Sequence, residues 1–280
     1  MKDAVLTFGV FTDCHYARRT VTAERFYPQA PDKLSQCMEQ LHRAGASFLI
    51  NLGDTVDTVQ DPAAARQRFR EAADLWRSFP GPVYLLLGNH DVLELSKREI
   101  AQAVGGFFPG DVGDRKEKGK GYYTFAQSGI RFFCLDSCYD RSGRSYEAED
   151  FDWREEYLDA CQLHWLEESL GGMEEERAVV CCHANLDRRP LKDGSEDPHI
   201  LKNADQVRAI LEQSGRRIAV LQGHCHTGGF TVQKGIPYIT FRAMTLGNFP
   251  ESNAFGLVKM TAHSITVRGY GQQEECQAAF

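Results

Sequence analysis

Five short apolar runs in this chain each end in side chains able to hold a cation, and that repetition restricts the folds open to it. Val5–Phe11 leads to Asp13 and His15, Phe48–Leu52 to Gly53-Asp54 with Asp57 three residues on, and Val83–Leu87 to Gly88-Asn89-His90-Asp91. Ala178–Cys182 leads to His183, and Ile218–Leu221 to Gly223-His224-Cys225-His226. The runs have strand length, several are rich in β-branched or aromatic residues, and Ile130–Leu135 is a sixth of the same kind. Helical patterns separate them at Asp32–Ala44, Pro62–Phe79, Glu94–Val104, Leu158–Leu170 and Asn203–Gln213. Asp61 before Pro62, and Asn203, read as start signals. Beyond Gly228 the pattern becomes strand alone: Phe230–Gln233, Pro237–Phe241, Ala254–Thr261 and Ser264–Arg268. Alternation followed by a β-rich tail predicts a layered α/β domain around partly parallel sheets.

The 280 residues hold no tandem repeat, low-complexity tract or Pro/Ser-rich linker. A single domain over residues 1–280 is therefore expected, with loop insertions at 105–121 and 137–157. The first is rich in glycine and charge and reads as a mobile loop. The second carries Tyr139, Tyr146, Phe151, Trp153 and Tyr157 among many charges. It is either a surface loop with its own apolar cluster or a wall over a site.

Composition narrows the class. There are 32 basic against 39 acidic residues, a net charge of −7, which argues against a chain that coats nucleic acid or anionic membrane. No apolar run approaches the roughly 18 residues of a membrane span. Met1 to Thr12 lacks the marks of a signal peptide. Nine cysteines in irregular spacing do not suggest a secreted disulfide framework, so a cytoplasmic location is expected.

Ligands in α/β architectures gather beyond the carboxyl ends of strands, so the five polar ends are expected to converge on one crevice. The glycines before Asp54, Asn89 and His224 suit turns that bring the backbone close to that centre. Taken singly, each piece has a plainer reading: a chance Asp-x-His, a Gly-Asp turn, a hydrogen-bonded structural histidine, or a cap on the helix after Asn-His-Asp. The argument rests on the set. Asp13, His15, Asp54, Asn89, His183, His224 and His226 offer carboxylate, amide and imidazole donors, which suit Mn, Fe, Zn or Co rather than a soft-metal site. They are too many for one ion and fit two ions about 3.5–4 Å apart sharing one carboxylate. Such a pair clamps phosphate oxygens, acidifies a bridging water and stabilises an in-line displacement. A structural zinc site at Cys14, Cys181, Cys182 and Cys225 is disfavoured, because no Cys-x-x-Cys pair is present and Cys14 and Cys225 each stand between two histidine- or carboxylate-bearing donors.

The ordered series Asp-x-His, Gly-Asp-x-x-Asp, Gly-Asn-His-Asp, His and Gly-His-x-His resembles the calcineurin-like metallophosphoesterases, over Phe8 to about Gly271. The resemblance implies a four-layer α/β/β/α sandwich of two mixed sheets flanked by helices. It implies a first metal held by Asp13, His15, Asp54 and His226, with Asp54 bridging to a second held by Asn89, His183 and His224. By the same likeness His90 contacts the phosphate and protonates the leaving oxygen, oriented by Asp57, and the attacking group is a metal-bridging hydroxide. Asp91 is expected to brace the turn. The Ala184-Asn185 pair departs from the proline that many relatives carry shortly after this histidine.

Arg25-Phe26-Tyr27, and the tail from Gly228-Gly229-Phe230 through Ser252-Asn253-Ala254-Phe255-Gly256, resemble more loosely the branch containing manganese-dependent ADP-ribose/CDP-alcohol diphosphatases. That likeness favours manganese and a small phosphorylated, nucleotide-like substrate cleaved at a phosphodiester or diphosphate bond. Arg25, Arg188 or Arg189 would meet a second phosphate, Arg25 foremost, and Tyr139, Tyr146, Phe151, Trp153 or Phe249 a base. No protein partner is implied. The other readings are a phosphomonoesterase acting on phosphoproteins or sugar phosphates, a nuclease with a local basic groove, and a non-catalytic metal-binding scaffold. The scaffold would be signalled by a missing donor or a missing His90, and none is missing.

Overall fold

A computed structural model describes residues 6–22, 24–58, 60–106, 120–189, 191 and 193–280. In chain order the elements are β1 (Leu6–Phe11), α1 (Ala30–Arg43), β2 (Leu49–Asn51), α2 (Pro62–Trp76), β3 (Val83–Leu85), α3 (Lys97–Val104), β4 (Tyr123–Gln127) and β5 (Ile130–Cys134). They continue with α4 (Ala160–Gly172), β6 (Arg177–Cys182), α5 (Ala204–Gln213), β7 (Arg217–Gln222), β8 (Gly229–Gln233), β9 (Ile236–Thr240), β10 (Ala254–Met260), β11 (Ser264–Gly271) and β12 (Cys276–Ala279).

The strands form two six-stranded mixed sheets, ordered β12-β11-β10-β1-β2-β3 and β4-β5-β6-β7-β9-β8. In the first, β1, β2 and β3 are parallel while β10 runs against β1. In the second, β5, β6, β7 and β9 are parallel and β4 and β8 are antiparallel edges. Side chains on successive strand residues face opposite ways, and the second sheet uses both faces. Phe132, Val179, Cys181, Ala219 and Leu221 join the core that also holds Phe8, Phe48 and Val10 of the first sheet. Their neighbours Phe133, Val180, Cys182, Ile218 and Val220 pack against Leu166, Leu170, Val207 and Leu211 of α4 and α5. Between the sheets Phe132 stands edge-on to Phe8 and Phe48, with ring centroids 5.4 Å apart in each pair. Leu34, Met38, Phe69 and Trp76 of α1 and α2 cover the outer face of the first sheet. The result is the expected α/β/β/α layering.

Local boundaries follow from capping. Asp61 starts α2 by accepting from the Ala63 N–H. The helix expected from Glu94 begins only at Lys97, because Ser96 and Glu99 close a reciprocal capping box. Asn203 does not cap α5; its side chain clamps the N–H and C=O of Leu158 instead. Two strands escaped sequence reading, β4 and the short edge strand β12. The insertion expected at 105–121 lies, over residues 107–119, outside the described residues. The 137–157 segment carries features of both readings. Tyr146 and Phe151 stack on each other at 3.6 Å, a cluster of its own, while Trp153 reaches the cavity described below. Among the described residues no helix is long and apolar enough to cross a membrane.

Candidate metal centre

All five polar strand ends meet at one edge of the sandwich. Those after β6 and β7 follow directly, those after β1 and β2 begin within three residues, and the fifth follows β3 after Leu86 and Leu87. Backbone bonds lace them together: Asp13 N–H donates to Gly53 C=O (3.0 Å), His15 N–H to Asp54 C=O (2.9 Å) and Gly223 N–H to His183 C=O (3.1 Å). Across the sheets, the His224 N–H donates to Asp13 Oδ2 at 3.2 Å. The approach is too close for a side chain at the intervening positions. A Cβ on Gly88 would run into Asp54 Oδ1, one on Gly223 into Thr12 Oγ1, and one on Gly53 would lie 2.6 Å from the Gly88 nitrogen. Asp13, His15, Asp54 and His224 themselves have left-handed backbones, φ 53°, 47°, 52° and 64°. Non-glycine residues hold that conformation only when their surroundings enforce it.

The donors fall into two groups around one carboxylate. Asp13, His15 and His226 have donor atoms within 4.8 Å of one another, as do Asp54, His183 and His224. In the first, His226 Nε2 is 3.4 Å from Asp13 Oδ1, and His15 Nε2 is 3.6 Å from Asp13 Oδ1 and 3.1 Å from His226 Nε2. Asp54 Oδ2 lies 3.6 Å from His15 Nε2 and 3.4 Å from His183 Nε2, so a single oxygen stands between the groups. His183 Nδ1 is held by Leu52 C=O at 3.0 Å and His15 Nδ1 faces Asp57 Oδ2 at 3.1 Å, which leaves Nε2 of each turned to the centre. Asp13 Oδ1, Asn89 Oδ1, His183 Nε2 and His224 Nε2 are buried without a hydrogen-bond partner. Buried polar atoms are seldom left without a partner, and these four are of the kind a cation would satisfy. The donor set fits two divalent cations.

Charge supports the fit. Burial works to raise the Asp13 carboxyl, but His15 and His226 outweigh it and hold it well below the usual range. Asp54 is lowered against burial mainly by His183 and His90, and Asp57 by His15 and His90. Burial would lower His15 and His183, yet Asp13 and Asp57 lift the former, and Asp54 the latter, to about 10. Burial holds His224 and His226 below their ordinary values. Asp91 braces the turns as expected, accepting from the N–H groups of Thr55, Val56 and Gly88, and burial followed by the Asp54 charge pushes it up to about 7.

The His90 ring packs edge-on against the His15 ring at 4.6 Å, and the His90 backbone N–H donates to Asp54 Oδ1 at 2.9 Å. Its Nδ1 is 3.6 Å from Asp57, longer than a hydrogen bond. Asp57 is engaged more closely by His15 and by Arg19 at 2.9 Å, so it serves a wider cluster than the expected pair. A cavity of about 550 Å³ opens above the centre, lined by Arg25, Asn89, His90, Trp153, Leu191, His199, His224 and His226 among others. Arg25 is 36% exposed there, with a guanidinium nitrogen 3.9 Å from Asp57. Arg188 and Arg189 are engaged elsewhere, by Asp205 and Asp187. Of the aromatic candidates Trp153 lines the cavity. Tyr139 is buried under Lys97, Tyr146 and Phe151 stack on each other, and Phe249 is not among the lining residues. All nine cysteines are free of disulfides and Cys14 Sγ faces Met244 Sδ at 3.6 Å; among the described residues Cys225 is the one cysteine in a metal-sized donor group, with Asp197 and His199.

Sequence reading passed over Asp197 and His199, which line the cavity, and Glu156, whose buried carboxylate lies 3.8 Å from His224 Nε2. Asp197 and His199 sit in irregular chain with no flanking periodicity to mark them.

Similarity to known proteins agrees with this geometry. A manganese-dependent ADP-ribose/CDP-alcohol diphosphatase from Oryza sativa subsp. japonica is 23% identical, aligned over 100% of this chain and 95% of the relative. One of the same name from Danio rerio is 25% identical over 98% of each. The crystal structure of a dimetal phosphatase from Danio rerio superposes with a TM-score of 0.77 at 18% identity, covering 98% of this chain and 99% of that one. The model of the calcineurin-like phosphoesterases matches residues 6–228, spanning every donor in both groups. The chain thus belongs to the calcineurin-like phosphoesterase family and is a hydrolase of phosphate esters.

Proposed function

We propose that this chain hydrolyses a phosphodiester or diphosphate bond in a small nucleotide-like molecule with the help of two divalent cations, manganese foremost. The observation that carries the reading is the Asp54 carboxylate oxygen standing within 3.6 Å of His15 Nε2 and 3.4 Å of His183 Nε2 on the floor of a solvent-open cavity. Asp13, His15, Asp54 and His226 would hold one cation, and Asp54, Asn89, His183 and His224 the other. Bound there, the pair would acidify a water between them and neutralise charge building on the phosphoryl oxygens. The relatives' name, manganese-dependent ADP-ribose/CDP-alcohol diphosphatase, supports both the metal and the bond.

His90 is the general acid in this reading. Its Nδ1 is the buried nitrogen on the Asp57 side, which leaves Nε2 to carry the proton for the leaving oxygen. Arg25, on the rim with a guanidinium nitrogen 3.9 Å from Asp57, would meet a second phosphate.

The test is a substrate panel with metal analysis. Purified protein should carry about two divalent ions per chain, as expected of a two-metal site. With Mn it should cleave ADP-ribose, CDP-choline or bis-p-nitrophenyl phosphate faster than p-nitrophenyl phosphate at equal concentration. A preference for the monoester would replace this reading with a phosphomonoesterase. No turnover in the loaded protein would remove hydrolysis altogether.

A further inference from the structure

A buried cation of the chain's own lies behind the metal centre, outside both donor groups. Lys33, near the start of α1, is wholly buried. Its ammonium donates to the C=O groups of Met244 and Leu246 at 2.8 Å and of Gly247 at 2.7 Å. Three N–H donors thus meet three backbone carbonyls. A neutral amine has two N–H groups and would turn its lone pair on the third oxygen, so the geometry calls for the charged form. Burial lowers this lysine to about 8, which leaves it protonated at neutral pH. A buried ammonium is costly unless its donors are satisfied, and a buried carbonyl left without a donor is costly in turn. The ammonium and its three carbonyls therefore hold as one unit, which fixes the course of residues 244–247.

The segment it grips touches both the donor turns and the cavity rim. On one side the Ala243 N–H donates to His226 C=O at 3.1 Å, the Met244 N–H to Thr12 C=O at 3.1 Å and the Thr245 N–H to Asp13 C=O at 3.0 Å. On the other, the Phe26 N–H donates to Thr245 C=O at 2.9 Å and the Gly247 N–H to Glu24 C=O at 3.0 Å, and Arg25 pairs with Leu246 in an antiparallel bridge. The ammonium also stands over the Phe26 ring, 5.9 Å from its centroid. Residues 243–247 thus run as a strap between the backbone of Asp13 and His226, two donors of the first group, and the backbone that carries Arg25. We infer that Lys33 is a positioning residue, whose ammonium clamps this strap and so sets the place of Arg25 relative to the Asp13–His226 side of the centre. It acts through Arg25 and touches no substrate. The inference rests on reading Arg25 as the group that meets a second phosphate.

Two substrates separate this role from a merely structural one: ADP-ribose, with two phosphates, and bis-p-nitrophenyl phosphate, with one. Their KM and kcat are measured on the Mn-loaded protein for Lys33→Met, Arg25→Ala and the double variant, with metal content alongside. Arg25→Ala should raise the KM of ADP-ribose by about tenfold or more, the range of a lost charge-assisted hydrogen bond, and leave that of the single-phosphate diester within about twofold. Lys33→Met should raise the KM of ADP-ribose selectively too. It should add little on top of Arg25→Ala, because a residue that acts through another has no separate effect once the other is gone. Lys33→Gln, which offers two N–H donors to the three carbonyls, should fall between Lys33→Met and the wild type. Hydrogen exchange gives a readout free of turnover: in Lys33→Met the Phe26 and Gly247 amides should lose protection while those of β6 and β7 keep it. Equal KM rises for both substrates, fully multiplicative effects of the two substitutions, or unchanged protection at Phe26 and Gly247 would each overturn the inference. Loss of a bound ion in Lys33→Met would mean that the strap serves the donors rather than Arg25, and would overturn it as well. Should Lys33→Met not fold, Lys33→Gln carries the same comparisons. If the wild type cleaves neither substrate, the proposed activity fails; if Arg25→Ala leaves ADP-ribose unaffected, the second-phosphate reading fails. In either case the exchange data decide the clamp, which stands on a local loss of protection and falls without one.

Discussion

At the residue scale, the centre is a balance between carboxylates that stay charged and imidazoles that compete for the same partners. His15 and His183 are lifted to about 10 against burial, by Asp13 and Asp57 and by Asp54 respectively. A cation takes the lone pair that such a proton occupies, so loading must expel it. Calorimetry of Mn binding at pH 7.5, in buffers of different ionisation enthalpy, should show release of about two protons per chain. No release would mean that these imidazoles are already neutral. Linkage fixes the sign for the chelated protein. A histidine raised above its unfolded value of about 6.5 contributes stability present below that pH and lost as pH climbs towards about 10, whereas the lowered carboxylates lose theirs in acid. Melting temperature of chelated protein should therefore decline from neutral pH upwards. The two adjacent residues Asn89 and His90 should part company on mutation. Each alanine variant should lose most of its turnover, about 10²–10⁴-fold for the loss of a general acid at His90. Metal retention should fall only for Asn89→Ala, whose buried Oδ1 is unpartnered. Weakened retention in His90→Ala would place that ring among the ligands.

At the element scale, the strand-to-loop turns do the positioning, and glycine permits their closeness. A Cβ on Gly88 would collide with Asp54 Oδ1, an atom that cannot yield without moving the shared carboxylate. Gly88→Ala should cost about 1–3 kcal/mol in stability and reduce metal content together. Ser96→Ala, which removes the reciprocal cap of α3, should cost about 1 kcal/mol and leave metal content as it was. A stable, fully loaded Gly88→Ala protein would show that the turn can relax. The same elements explain what could be read in advance. Runs such as Ala178–Cys182 were legible because a strand buried on both faces is apolar throughout. The start of α3 was not, since Val92, Leu93 and Leu95 carry apolar character up to Ser96, whose hydroxyl caps a helix that opens only at Lys97. Edge strand β12, of mixed burial, is too short to show a period. Asn203 has the chemistry of a cap but satisfies the backbone of Leu158, a partner 45 residues away that no local pattern reveals.

At the scale of the whole molecule, each sheet supplies part of the centre. Asp13, His15, Asp54 and Asn89 come from the strand ends of the first sheet, and His183, His224 and His226 from those of the second. The candidate donors were legible because the residue types demanded by hard cations are uncommon at strand ends and recurred five times. The cavity wall was legible in part: Trp153 and Arg25 were among the candidates, while His199, from a separate irregular segment packed against Trp153, carried no mark. Cations held by both sheets would act as a cross-link at the edge where the sandwich carries its buried, unpartnered atoms. Anything that binds the folded state alone stabilises it by RT ln(1 + [L]/Kd), about 2.7 kcal/mol at a hundredfold excess over Kd. For a chain of this size each kcal/mol corresponds to roughly 2–4 °C, so chelation should lower the melting temperature by about 5–10 °C and Mn should restore it. Asp54→Asn carries the decisive control. Because its oxygen stands between the donor groups, that variant should lose most of the Mn-dependent rise. A melting temperature indifferent to chelation would mean that the two sheets hold this edge together without any ion between them.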